Sequence, residues 1–143
     1  MSAYSALSPV SIGVFTALNV AALAAVAPGG VGDDIAQGTG YPFVLYTVAE
    51  EEVDGLGSTS GTPGLVVEID LLVQVFSQYG GMSEAQAVLA KVKELLRTPP
   101  TVTGFTSVDI FRRGPSVDLG DQLVAGVKVK ELAQRFALFL VTQ

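Results

Sequence analysis

The chain has 143 residues, 49% of them apolar and only 15% charged, with 14 acids against 8 bases and a net charge of −6. This length predicts one domain, 1–143, with one core, and the apolar balance excludes disorder, which needs low hydrophobicity and high charge. Without cysteine or histidine there is no disulfide framework, thiolate metal site or Ser-His or Cys-His nucleophile, so an enzymatic role is not expected.

In chain order, the first segment is "ALSPVSIGVFTALNVAALAAVAPGG", residues 6–30, which carries no charged side chain. Ser8 as N-cap and Pro9 at the first helical position predict a helix running to about Ala25, stopped by "APGG". Ser8, Ser11, Thr16 and Asn19 share an arc into which Ile12, Phe15 and Leu23 intrude, so a weakly amphipathic helix covered on most sides is expected. "YPFVLYTVAE" reads as a strand with Pro42 near its start. "LVVEIDLLVQVF" is the clearest strand. Leu65, Val67, Ile69, Leu71, Val73 and Val75 line one face, and Glu68, Asp70 and Gln74 lie with Val66, Leu72 and Phe76 on the other. The two strands flank a Gly/Ser/Thr-rich stretch and predict a hairpin with a long flexible tip containing Asp54, Gly55, Gly57, Gly61 and Gly64.

"GGMSEAQAVLAKVKELLRTPP" predicts the best helix, capped by Ser83, striped by Ala87, Leu89, Val92, Leu95 and Leu96, and ended by Pro99-Pro100. "GFTSVDIFRR" reads as a third strand followed by turn material, "GPSVDLGDQ". Residues 124–142 stay open between two states. Val127 and Val129 alternate with Lys128 and Lys130 as in a strand, whereas Leu132, Phe136 and Leu140 are four apart as in a helix.

Three constellations invite chemistry. "DGLGSTSGTPG" lacks the Lys-Ser/Thr of a phosphate loop, since no lysine precedes Lys91, and it lacks the third glycine of a dinucleotide fingerprint. The acidic run Glu50, Glu51, Glu52 and Asp54 could gather calcium, but neighbouring strand residues diverge, so a solvated strand end is expected and no metal or cofactor. Arg112, Arg113, Lys128, Lys130 and Arg135 concentrate positive charge in a chain whose pI is near 4.4, which disfavours a DNA-binding regulator.

Charge is also sorted along the chain. Residues 1–90 hold nine acids and no base, and residues 91–143 hold eight bases and five acids. Such asymmetry fits a nucleic-acid surface or complementary faces meeting in an oligomer, and equally a chance sorting of surface charges along the chain. A protein this apolar also has little polar surface with which to cover itself alone, so contact with other chains is expected.

The order of these features resembles the phage tail-completion or tail-terminator (head-to-tail joining) family, to which the lambda minor tail protein U belongs. The resemblance rests on "YPFVLY", the Gly-rich tip after "VDG", and "EIDLLVQVFS" followed by "SEAQAVLAKVKELL". The apolar first helix and the long final segment depart from the family pattern.

The resemblance implies an α+β protomer with a four-stranded, mostly antiparallel sheet flanked by two main helices. It implies a structural virion protein, assembled in the host cytoplasm, whose copies form a ring, generally of six. The ring would sit at the head-proximal end of the tail tube, end its polymerisation and join the tail to the head connector. Its partners would be further copies, the tail tube protein and the connector, with no membrane, and DNA would pass the lumen without specific binding. Glu50, Glu51, Glu52, Asp54, Arg112, Arg113, Lys128 and Lys130 are the candidate interface or lumen charges. The rival expectation is a secreted or membrane-anchored binding domain with residues 1–27 as signal or anchor and "AVA" as cleavage site, although no Lys or Arg precedes the apolar run.

Overall fold

The structure, a computed structural model, describes residues 7–32, 40–52, 66–78, 83–124 and 127–142. The uncharged opening run folds as two helices, not one. α1 spans Leu7–Leu18 and α2 spans Ala21–Ala24, with Val20 extended between them (φ −127, ψ 159). The amide of Asn19 still donates to the carbonyl of Phe15, but that of Val20 turns to Leu18, which ends α1. α1 begins before Ser8, so Ser8 lies inside the first turn, and Pro9 stays where a missing N–H is harmless.

α1 is also less covered than its composition suggests. Val10, Val14 and Leu18, spaced by four, form a stripe against the core, while Ile12 is 64% exposed and Phe15 and Val20 are also exposed. Gly13 lets the helix approach closely, because a Cβ there would lie 2.5 Å from the carbonyl oxygen of Thr101.

Five strands form one sheet in the order β1-β2-β3-β5-β4, one more than the four expected. The extra strand, β1 (Val31–Gly32), is two residues long and runs parallel to the start of β2 (Phe43–Glu52). β2 pairs antiparallel with β3 (Val66–Ser77) from Phe43↔Phe76 to Glu52↔Val67, the hairpin expected from the sequence. Its tip, with Asp54, Gly55, Gly57, Gly61 and Gly64, lies outside the described residues.

α3 spans Ser83–Leu95. The Ser77 hydroxyl donates to the Glu84 carboxylate at 2.5 Å, tying the start of the helix to the end of β3. Its buried stripe is Ala85, Val88, Leu89, Val92 and Leu96, whereas Ala87, expected in that stripe, faces solvent. The spacing 85, 88, 89, 92, 96 follows the 3.6-residue period, and Ala87 falls off it.

Residues 127–142 are a strand. β5 (Val127–Thr142) pairs along its length with β3 on one side and β4 (Phe105–Val124) on the other. Hydrogen-bonded neighbours on both edges satisfy its backbone, which a helix here would forgo. β4 is correspondingly longer than expected. "GPSVDLGDQ" does not turn the chain but continues the strand through register shifts at Arg113/Val117 and Asp118/Gly120. Gly114 (φ 77) and Gly120 (φ 73) take the left-handed conformations that such bulges need.

One core joins α1, α3 and a single face of the sheet, running from Val10 to Leu140. On β3 it takes Val67, Ile69, Leu71, Val73 and Val75, the face legible from alternation, and on β5 Leu132, Phe136, Leu138 and Leu140. Each such side chain contributes about 1.5–3 kcal/mol by leaving water.

Candidate interaction surfaces

The helices cover one face of the sheet and leave the other open. On that open face polar groups of β3 meet partners from β4 and β5. Arg113 donates to Glu68, Arg135 Nη1 donates to Asp70 Oδ2 at 2.5 Å, and Gln74 Nε2 donates to Glu131 Oε2 at 2.5 Å. Arg113 and Arg135 stand directly opposite each other in the β4–β5 register, so the two carboxylates offset a like-charge pair. Asp70 Oδ1 is buried without a hydrogen-bond partner among the described residues.

Aromatic contacts flank this lattice. Phe111, 51% exposed, stacks on Phe139 with ring centroids 5.5 Å apart, and Phe43 stacks on Phe76 at 5.0 Å over Val129. A shallow groove of about 330 Å³ lies between Leu72, Pro115, Val117, Leu119 and Ala133, with Arg113 and Arg135 at its rim.

A second surface is the cleft between α3 and β4, on the helix-bearing side. Its centre is a polar chain that runs from the surface to a buried glutamine. Lys93 Nζ donates to Ser116 Oγ at 2.8 Å, and Ser116 Oγ donates to Gln134 Oε1 at 2.9 Å. Gln134 Nε2 then donates to the carbonyls of Gly114 (3.0 Å) and Arg135 (2.8 Å). Gln134 is 1% exposed, and it satisfies a carbonyl that the β4 bulge removes from the ladder. Toward the end of α3 the cleft becomes basic. Lys93, Arg97 and Arg112 surround a floor of Leu96, Ile110 and Phe136, enclosing about 380 Å³. Partial desolvation, and then the nearby charge of Arg112, push the Lys93 ammonium below its ordinary pKa.

The residues singled out from sequence fall into separate places. Glu50, Glu51 and Glu52 end β2, in register with Ile69, Glu68 and Val67. Lys128 and Lys130 open β5, and both reach Asp121, at 3.2 and 2.9 Å. The hydrogen bond from Lys130, then that from Lys128, holds the Asp121 carboxyl below its ordinary range, and Asp121 in turn raises Lys130. Arg113 meets Glu68, so three of the four predicted interface bases have carboxylates within their own chain. Arg112 is exposed and has no ion pair among the described residues. Lys93 and Arg97, missed from sequence, join Arg112 in the cleft. Their spacing of four was the available signal. Among the described residues no acidic cluster could hold a metal ion, and no helix is long and apolar enough to cross a membrane.

These surfaces belong to a fold seen in a phage-like particle. A chain from the structure of the virion of a native gene transfer agent particle superposes with a TM-score of 0.74 at 18% identity, covering 97% of this chain and 99% of that one. None of the curated proteins matches the sequence. The family model for tail completion protein gp17 matches residues 13–129, which takes in the second half of α1, then α2 and α3, strands β1 to β4 with the bulged edge strand, and only the first three residues of β5. The chain therefore belongs to the tail completion protein gp17 family and is a structural tail protein of a phage-type virion.

Proposed function

We propose that this protein, as one domain, forms a ring, generally of six copies, at the head-proximal end of the tail tube. The ring ends tube polymerisation and joins the tail to the head connector, and it performs no bond chemistry. The observation that supports a ring is the direction of the strands. β2, β3, β5 and β4 alternate, so the two long outer strands of the sheet, β2 and β4, run in opposite directions. A copy generated by rotation about a ring axis keeps its direction, so the β4 of one copy would meet the β2 of the next antiparallel.

Both edges suit such a contact. Among the described residues the segment 29–32 covers only the start of β2, as far as Leu45. On β4 the bulges and Pro115 disturb the middle of the strand, but Ser107 to Arg113 keep an unbroken register. The open face pairs both Arg113 and Arg135 with carboxylates of its own chain, which suits a lumen that DNA passes without binding. Native mass spectrometry and negative-stain microscopy, alone and with tail tubes, test this reading. Six-fold rings about the width of the tube are expected, and a strict monomer even on addition of tubes would overturn it.

A further inference from the structure

We propose that the cleft between α3 and β4 is a socket for the acidic end of β2, Glu50 to Glu52, of the next copy in the ring. The inference rests on the ring reading above and assigns the surfaces that meet. Toward the end of α3 the cleft presents Lys93, Arg97 and Arg112 above an apolar floor, and no acid lines that part, Asp118 lying further along the cleft beside Ser116. Lys93 and Arg97 gain something from lying near the C-terminal end of a helix. Arg112 is on another element, and in the single chain it only adds repulsion to Lys93.

The carboxylates that could answer these charges are engaged elsewhere. Glu68, Asp70, Glu94 and Asp121 each pair with a base, Glu131 accepts from Gln74 and Glu84 from Ser77, Asp118 accepts from the amide of Gly120, and Asp109 is in register with Phe139 on the open face. The acidic run at the end of β2 lies across the sheet from β4, three strand steps away in the order β2-β3-β5-β4, out of reach within one protomer. In a ring it comes close. Arg112 is in register with Phe136, and Glu50 and Glu52 are in register with Ile69 and Val67, all three partners being core residues of the helix-bearing face. Rotation about the ring axis preserves that face, so β4 beside the next β2 brings the basic cleft and the acidic strand end to the same side of the joint.

Nucleic-acid phosphate is the other anion for three clustered bases. The apolar floor and the net charge of −6 favour a protein strand end instead.

The test uses the full-length chain, rings being read by native mass spectrometry with and without tail tubes. Arg97→Glu/Arg112→Glu should lower the ring fraction about tenfold or more, as should Glu50→Lys/Glu52→Lys, and the four changes combined should restore rings. The milder Arg112→Gln should sensitise rings to salt, while the circular dichroism of every variant matches the parent, since Arg97 and Arg112 are exposed. Rings that persist in Arg97→Glu/Arg112→Glu would overturn the socket and leave the ring standing. DNA retention by the parent chain, lost in that variant with rings intact, would reassign the cleft to phosphate and also overturn it. Absence of rings from the parent chain even with tubes would overturn the ring reading itself.

Discussion

The two faces of the one sheet are built from the same strands and obey different physics. On the helix-bearing face β3 and β5 offer aliphatic side chains from Val67 to Leu140, and polar groups enter only where they are satisfied. Gln134 holds the bulge of β4, and the Tyr46 hydroxyl donates to the carbonyl of Ser11 at 3.2 Å. On the open face charged, amide and aromatic side chains tied sideways to the next strand stand among Leu72, Ala133 and Ala137. Antiparallel sheets tolerate this division because alternation separates the faces at no cost to the ladder. The difference teaches where stability and contact reside. The first face resists unfolding by excluding water, and the second offers water a sheet surface whose charges are paired across neighbouring strands.

The sharpest way to break this contrast is to truncate adjacent residues of β3. Leu71 is fully buried, and Leu72 sits half-buried on the open face. Leu71→Ala should lower unfolding free energy by about 2–5 kcal/mol and Leu72→Ala by roughly 1 kcal/mol or less, measured by urea denaturation. Equal losses would show that both faces are cores.

A smaller effect probes the polar exception on the buried side. Gln134→Leu keeps volume but leaves the Gly114 carbonyl without its donor and the Ser116 hydroxyl without its acceptor, and should cost about 1–3 kcal/mol in the same assay. A neutral result would mean that the β4 bulge does not depend on this network.

The smallest effect lies at the exposed Lys128–Asp121–Lys130 cluster and is read by pH. A carboxyl whose folded-state pKa is lowered contributes stability above its unfolded value and loses it as pH falls through the folded value. Asp121→Asn should therefore melt slightly below the parent at neutral pH and converge with it below about pH 4. Lys130, raised by the same contact, contributes below its unfolded value and loses that contribution only at strongly alkaline pH, as pH rises through the raised value. A thermal-shift gap that stayed constant down to pH 2 would remove Asp121 from this account.

Much of the protein was legible along the chain because local periodicity and burial coincide. The alternation of β3 named the buried set from Val67 to Val75, and the signals around α3 put its start within one residue, Ser83 being expected as the cap and found as the first helical residue. The absence of histidine and cysteine narrowed the chemistry before any fold was known, and the resemblance carried by "YPFVLY" and "EIDLLVQVFS" agrees with the family. What tertiary structure decided is of another kind. A spacing of four at Leu132, Phe136 and Leu140 places residues on one face of a helix and equally of a strand, so only pairing with β3 and β4 makes β5 a strand. The same ladder converts "GPSVDLGDQ" from a turn into a bulged strand, and packing on one side only divides the uncharged opening run at Val20. The sorted charges were visible from the first count, but their partners were not. An ion pair such as Arg135–Asp70 joins residues 65 positions apart, and the fold alone sets the distance between them.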